Sequence, residues 1–265
     1  MGILLACGDG LLSWRGSWRR VPCPILRADL AAEHAGQVAA VDNLAGLLWH
    51  DGELQPCDRS IEALRLWQGF ALLLSSDTDC LSLWDAHGPV RTVRAGIYPQ
   101  DMHLVGDHAA VCGGLDGMLR LYSLPGLELV LETELPGMPE RVSIHGDQAY
   151  VLSLLPEPEV HTAVLRVDLR SRSYVRLMEL PGLPGAVLAE GSGAWIAGSE
   201  TLLHSPDRLC EADCLIDGFG LVRHLSAVRD RLLITDPVAG ICAMYRRGAL
   251  SVLYRGEVGQ AIFTT

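Results

Sequence analysis

Short apolar runs alternate with turn residues along the whole chain, at a spacing that indicates β-strands joined by hairpin turns. Within a run, apolar residues occupy every second position, as at Leu81 and Leu83 of residues 79–85. Gly-Asp pairs precede several runs, for example at residues 106–107, and such pairs are typical of tight turns. No stretch keeps the 3.6-residue period of an amphipathic helix. The pattern therefore predicts an all-β protein.

One strand-like unit recurs seven times along the chain. Each copy has a small or turn residue followed by an alternating apolar run that ends in an aromatic or polar residue. The equivalent apolar positions, 34 to 47 residues apart, are Leu11, Leu47, Leu81, Met118, Leu165, Leu202 and Ile241. Further apolar runs flank each copy, giving four short strands in each repeat of about 40 residues, which is the blade of a β-propeller. The longest step contains residues 155–162, which we predict to be an inserted hairpin tip.

The two ends of the chain are predicted to share one blade. Residues 1–24 supply three strands of it, and residues 256–265 supply the missing first strand. Such a blade would tie the ring shut and leave no splayed interface. We therefore expect an all-β, seven-bladed β-propeller of four-stranded antiparallel blades, with residues 1–265 as a single domain. Six blades is the alternative, if the copy at Thr201 is not a full blade.

The repeat resembles the WD40/YVTN superfamily of propellers. Its entry signal Gly-x-Pro, its Gly-Asp turn and its Asp-Gly-x-Leu strand follow one another as in that superfamily, and Tyr150-Val151 and Trp84-Asp85 match the signature dipeptides. The ordered His/Asp/Ser/Trp network of strict WD40 repeats is missing from most blades, so looser bacterial YVTN-like or quinoprotein-like propellers fit better. The resemblance implies the fold and not an activity, because the superfamily includes scaffolds, lactonases, lyases and electron-transfer partners.

Composition narrows the function classes. Hydrophobic residues make up 49% of the chain and charged residues 20%, which excludes intrinsic disorder. The formal net charge of −11 argues against nucleic acid and against an anionic membrane surface as partners. All 21 basic residues are arginine, and Asn43 is the single asparagine. A GC-rich genome accounts for this bias, and a selected absence of amines is the alternative.

The expected compartment is the cytoplasm. No apolar run reaches the ~20 residues that span a bilayer, and the N-terminus lacks a basic region before its apolar run. The eight cysteines are expected to be free thiols, because most lie in apolar strand contexts. Cys210 and Cys214 could form half of a zinc site, but a second ligand pair at metal-binding spacing is missing from the sequence.

Motifs for catalysis or cofactor binding do not occur in the sequence. It contains no Gly-x-Ser-x-Gly elbow, His-Glu-x-x-His, phosphate-binding Walker loop or EF-hand loop. Cys-x-x-Cys-His, which attaches haem, is also missing. We therefore predict no catalytic residue, no cofactor and no metal.

One set of polar residues can converge in space, because the first strand of each propeller blade lines the central channel. The candidate binding residues at this channel mouth are Arg27, Asp29, Glu62, Arg65, Asp101, His103, Glu140, Arg141, Arg223 and His224. One interpretation is a water-filled channel whose charges pair with one another. The other is a mouth that binds a small anion, a sugar acid or a partner's side chain, with the arginines as bidentate clamps. A metal cage of the lactonase kind would need Asp29, Glu62, Asp101 and Glu140 at one level.

Two functions follow, and both remain open at this stage. The first is a non-catalytic propeller that binds a protein or peptide partner on one rim or at the channel mouth. The alternative is a propeller hydrolase or lyase of the lactonase kind, acting on a small anionic or sugar-acid substrate. The shortage of long loops favours binding. Two other surfaces are candidates for partner contact: residues 155–162, and the cluster of Trp18 with Arg15, Arg19 and Arg20.

Overall fold

The computed structural model describes residues 2–156, 158–191, 193–205 and 214–264. These residues form seven four-stranded antiparallel sheets and no helix, so the predicted seven-bladed β-propeller is confirmed. The copy at Thr201 belongs to a full sheet, which makes the six-blade alternative wrong. Within these ranges no helix is long and apolar enough to cross a membrane. The possible half-site at Cys210 and Cys214 falls outside the described residues and side chains.

The first of two compact units comprises residues 1–93 and 224–265 and contains four sheets. The sheet that joins the two chain ends has the strands β28 (Val258–Thr264), β1 (Gly2–Cys7), β2 (Gly10–Trp14) and β3 (Trp18–Arg20). The next two sheets are β4 (Leu30–His34), β5 (Gln37–Asp42), β6 (Leu47–His50) and β7 (Glu53–Pro56), then β8 (Ile61–Trp67), β9 (Phe70–Ser75), β10 (Cys80–Asp85) and β11 (Gly88–Arg94). The fourth sheet is β24 (His224–Val228), β25 (Arg231–Asp236), β26 (Ile241–Arg246) and β27 (Ala249–Arg255). The first strands β24, β28, β4 and β8 lie side by side.

The second unit comprises residues 94–223 and contains three sheets. The first is β12 (Pro99–Val105), β13 (His108–Gly113), β14 (Met118–Ser123) and β15 (Glu128–Glu134). The others are β16 (Met138–His145), β17 (Gln148–Leu155), β18 (His161–Asp168) and β19 (Ser173–Pro181), then β20 (Val187–Glu190), β21 (Gly193–Gly198), β22 (Thr201–Ser205) and β23 (Cys214–Ile216). Their first strands β12, β16 and β20 also lie side by side. That the whole chain forms one domain stays a prediction.

The predicted blade that mixes both chain ends is confirmed. Strand β28 runs antiparallel to β1, with Ile3 opposite Phe263 and Leu4 opposite Ile262. The expected hairpin tip at residues 155–162 is shorter than predicted, because Leu155 and His161 already pair across β17 and β18. The long repeat step therefore reflects two eight-residue strands as well as their connection.

Alternate positions of a second strand face two different neighbouring sheets, and this explains runs that are apolar throughout. In β1, Ile3 and Leu5 pack into one cluster with Leu233 of β25, whereas Leu4 packs into another cluster with Ala40 of β5. A strand that is buried on both faces reads as a continuous apolar run, and all six residues of β1 are buried. The core thus lies between successive sheets.

Six cysteines in the described residues are free thiols, namely Cys7, Cys23, Cys57, Cys80, Cys112 and Cys242. Cys7, Cys112 and Cys242 are buried and the other three are half-buried, so only half of the set matches the expectation of core thiols. Burial raises the pKa of the Cys57 and Cys242 thiols to about 12, which keeps both protonated at neutral pH.

Trp18 is a packing residue of the first unit and not a free surface aromatic. Its indole Nε1 donates to the carbonyl of Leu253 at 2.8 Å, and its ring meets Tyr254 edge-on at 5.9 Å. It therefore joins the outer strands of two neighbouring sheets. Trp14, Trp49 and Trp84 lie in third strands and pack against apolar clusters, as predicted.

Candidate functional site

Arg27 and Asp29 precede strand β4 and do not lie on it, contrary to the prediction that they belong to a first strand. Asp29 instead links two chain connections from a position just before the strand: its Oδ2 accepts the backbone N–H of Asn43 at 2.8 Å, while its Oδ1 accepts Arg27 Nη2 at 3.1 Å. Arg27 also pairs with Glu257, and the hydrogen bond to Asp29 raises the pKa of its guanidinium. These groups hold three chain connections together.

Glu62 and Arg65 lie on β8 as predicted, and neighbouring groups of that strand and its hairpin engage both. Glu62 Oε1 accepts the hydroxyl of Ser76 at 2.7 Å, and Arg65 Nη1 donates to the carbonyl of Leu64 at 2.9 Å. His224 is the first residue of β24 and stands opposite Thr235 in the ladder.

In the second unit, Asp101 and His103 of β12 connect the first strands of neighbouring sheets. Asp101 Oδ2 accepts the backbone N–H of Val142 on β16 at 3.0 Å. His103 Nδ1 lies 3.5 Å from the hydroxyl of Ser143, whose oxygen accepts the N–H of Ala189 on β20 at 2.9 Å. A first strand lacks a ladder partner on its inner edge, so its free N–H groups need such acceptors.

Arg141 and Arg223 are anchored on backbone carbonyls. Arg141 Nε donates to Gly185 at 2.9 Å, and its Nη1 donates to Glu140 at 2.7 Å and to Gln100 at 3.4 Å. Arg223 precedes β24, contrary to its predicted place on a first strand, and its guanidinium reaches back to the carbonyl of Pro184 at 3.3 Å. Both guanidinium groups thereby close chain connections of the second unit.

The four acidic candidates do not share one register within their own sheets. Ladder irregularities place Glu62 and Glu140 at the bulge near the start of β8 and β16, whereas Asp101 is the residue after the bulge of β12. Asp29 precedes its strand altogether. In the described part of the chain, no group of three or more His, Cys, Asp or Glu residues is placed to hold a metal ion.

Sequence reasoning did not assign a role to Asn43, the single asparagine of the chain. Its Nδ2 donates to the carbonyl of Ile61 at 3.0 Å, and its Oδ1 accepts the N–H of Ile61 at 3.1 Å. The side-chain amide thus takes both hydrogen bonds that a neighbouring strand would supply. Gln260 and Ser226 act similarly, on the N–H groups of Ala31 and Phe263. The sequence signal that could have pointed to this role is that Asn43 is the single asparagine of the chain.

Asn43→Asp should destabilise the first unit by about 1–3 kcal/mol, because a carboxylate cannot donate to the Ile61 carbonyl and faces it with lone pairs. Urea denaturation at neutral pH measures this as a lower midpoint with an unchanged slope. Glu53→Gln, at an exposed position of β7, is the control for a change of one charge. Equal midpoints for Asn43→Asp and the parent protein would contradict the role of the amide.

A continuous series of hydrogen bonds runs along one end of the first unit. It joins the connections that follow the second and fourth strands of each sheet, which we call the loop edge: residues 8–9, 21–29, 43–46, 57–60, 76–79, 237–240 and 256–257. Gly256 donates to Gly240 at 3.0 Å, Cys57 donates to Gly46 at 2.9 Å, and Ser76 donates to Ser60 at 3.0 Å. Backbone hydrogen bonds therefore tie neighbouring connections of the loop edge to one another.

The three most exposed large apolar side chains of the described residues all lie on the loop edge: Leu26 at 75%, Val238 at 74% and Leu44 at 73%. Leu44 and Val238 occupy the same place in two copies of one turn, Asp-x-apolar-Ala-Gly, at residues 42–46 and 236–240. In each copy the aspartate Oδ1 accepts the N–H of the alanine at 2.9 Å.

The glycine that ends each turn has a positive φ, 67° at Gly46 and 65° at Gly240. A Cβ on either glycine would approach a backbone carbonyl oxygen within 3.0 Å. Each turn thus requires its aspartate and its glycine. The position between them carries an apolar side chain, where turns normally carry a polar one.

Comparisons with known proteins identify the architecture. No family model matches the chain, and no curated protein matches its sequence. Among solved structures, a protein from Lactobacillus plantarum is similar at a TM-score of 0.74 and 14% identity, over 98% of this chain and 99% of that one. Kuenenia stuttgartiensis hydrazine synthase gives 0.68 at 12% identity, over 88% and 80% of the two chains. A computationally designed protein gives 0.68 at 10% identity, over 97% and 84%. At these identities the likeness shows the seven-bladed β-propeller fold alone.

Proposed function

We propose that this protein is a non-catalytic, YVTN-like propeller that binds a protein or peptide partner on one rim, the loop edge of the first unit. The observation that carries the proposal is the pair of turns of one type that expose Leu44 and Val238 to water. A large apolar side chain that stays in water lacks the stabilisation of about 1.5–3 kcal/mol that its full burial would provide. A partner that covers these side chains recovers that free energy without first ordering the loops.

Charge on the loop edge indicates the chemistry of the partner. Its exposed carboxylates are Asp9, Asp58, Asp77 and Glu257, against the arginines Arg27 and Arg59. Arg27 pairs with Asp29 and Glu257, which leaves the carboxylates of Asp9, Asp58 and Asp77 against Arg59, so acidic groups outnumber basic ones on the loop edge. We therefore propose a cationic partner segment that carries apolar side chains. Complementary charge would steer its encounter, and apolar burial would hold it.

The predicted channel-mouth residues support binding through a scaffold role. Asp29 accepts the backbone N–H of Asn43 and so ties two connections of the loop edge, whereas Asp101 and Arg141 make backbone contacts of the same kind in the second unit. The hydrolase or lyase alternative stays a prediction. It would require a substrate to displace contacts that the fold itself uses.

A photo-crosslinking amino acid placed at position 44 or 238, in cells that naturally make the protein, tests the proposal. We expect one discrete cross-linked protein common to both positions, because both side chains lie on one edge. Placing the same group at Leu54 of β7, which is 42% exposed but lies on an outer strand, is the matched control. Leu26→Asp should reduce the yield at positions 44 and 238 at least tenfold.

Products that are equal at positions 44 and 54, or that survive Leu26→Asp unchanged, would refute the loop edge as the binding surface. Melting temperatures of the variants must match the parent protein, because these side chains make few packing contacts. The same cross-linking at residues 158 and 181 would show whether the second unit supplies the surface instead.

A further inference from the structure

The second unit has an open cleft of about 540 Å³. It lies where β18 begins and β19 ends, and its lining residues are Pro158, Glu159, Val160, His161, Glu179, Leu180 and Pro181. His161 stands opposite Pro181 in the ladder and Glu179 stands opposite Ala163, so His161 and Glu179 are diagonal neighbours on one face. The cleft therefore combines apolar walls with an imidazole and two carboxylates.

The hydrogen bonds of His161 define which of its nitrogens faces the cleft as an acceptor. Nδ1 lies 2.7 Å from the carbonyl oxygen of Glu159, and a carbonyl can only accept, so Nδ1 carries the proton. In neutral imidazole Nε2 then bears a lone pair, and it lies 3.7 Å from Glu179 Oε2. Two acceptors thus face one another across a gap, which calls for a hydrogen-bond donor.

The hydrogen-bond donor must bind a Glu179 carboxylate that already has one oxygen engaged. Arg176 Nη1 binds the other oxygen of Glu179, so a second guanidinium cannot take both oxygens as a bidentate fork. An ammonium group carries three donors on one atom, and can meet Oε2, Nε2 and the Glu159 side chain that lines the same cleft. Its alkyl stem would lie along Pro158 and Pro181.

We propose that this cleft binds a primary ammonium group on an alkyl chain, namely the lysine side chain of a peptide. The chain itself contains no lysine, so no side chain of its own can supply this group, and its 21 basic residues are all arginine. The site is separate from the loop edge and does not depend on the proposed function. It needs no bond to form or break.

Titration calorimetry with Nα-acetyl-lysine methylamide tests the site, and the matching arginine compound serves as the ligand control. We expect saturable binding of the lysine compound and at least tenfold weaker binding of the arginine compound. Glu179→Gln should weaken lysine binding at least tenfold, whereas Glu128→Gln, an equal charge change on the exposed outer strand β15, should leave it unchanged. Arg176→Met should strengthen binding, because it removes the resident competing cation.

Nitrogen chemical shifts of His161 give an independent readout. We expect Nδ1 to carry a proton in both the free and the amine-bound protein, because it donates to the Glu159 carbonyl, and we expect the Nε2 shift to change once the amine binds. A doubly protonated ring in the free protein would overturn the proposal, since His161 would then satisfy Glu179 by itself. Equal affinity for the lysine and arginine compounds, or equal losses in Glu179→Gln and Glu128→Gln, would also overturn it, because either would show general charge attraction.

Discussion

Removing residues 259–265 should leave the chain insoluble or strongly destabilised, because this segment is most of β28, the first strand of a four-stranded sheet. Ile262 and Phe263 pack into two different clusters, and Ala261 is buried. Gln260 accepts the N–H of Ala31 on the neighbouring sheet. Full burial of a large apolar side chain contributes about 1.5–3 kcal/mol, and the half-buried Ile262 and Phe263 contribute part of that each. Together with the lost ladder, the deletion removes a large part of a typical ~5–15 kcal/mol stability.

A complementation experiment keeps this prediction testable if the truncated chain does not fold. A synthetic peptide of residues 256–265, added during refolding, should restore solubility and a cooperative thermal transition. The same peptide with Phe263→Asp should fail, because it would bury a carboxylate against β1. A truncated chain that melts at the temperature of the parent protein would show that β28 contributes little to the fold.

The strands and their number could be predicted because their signals are local. Alternating apolar residues and Gly-Asp turns lie within ten residues of one another, and the seven equivalent positions from Leu11 to Ile241 all fall in third strands. The pairing of β28 with β1 is long-range in sequence, but it followed from counting strands at the two ends. The number of strands in each repeat predicted this pairing, although neither end of the chain specifies it alone.

The candidate site could be predicted only in part, because it depends on register and on distant backbone groups. Glu62 and Glu140 occupy the bulges of their own strands, whereas Asp101 follows the bulge of β12, and the place of a bulge is not visible within a single strand. The contact between Trp18 and Leu253 spans most of the chain. The exposed turns at residues 42–46 and 236–240 were visible as repeats, but the exposure of their apolar side chains required the structure.

Arg141→Ala should lower stability by about 2 kcal/mol or more, because the change strips a charged donor from the carbonyls of Gly185, Glu140 and Gln100. Arg141→Lys should recover little, since one ammonium group cannot reach three carbonyls in the geometry of the guanidinium fork. Urea denaturation gives the size of the loss. Arg91→Ala, at an exposed position of β11, is the control and should change stability by less than about 0.5 kcal/mol.

The same Arg141 variant decides between the two interpretations of the channel mouth. If Arg141 is structural, cross-linking from position 44 should be unchanged at temperatures where the variant is folded, even though its stability is lower. If Arg141 clamps a ligand or an acidic side chain of the partner, stability should change little and binding should weaken about thirtyfold, which corresponds to about 2 kcal/mol. The three backbone carbonyls that Arg141 contacts favour the structural outcome. A variant with unchanged stability but weakened cross-linking would show that the channel mouth takes part in binding.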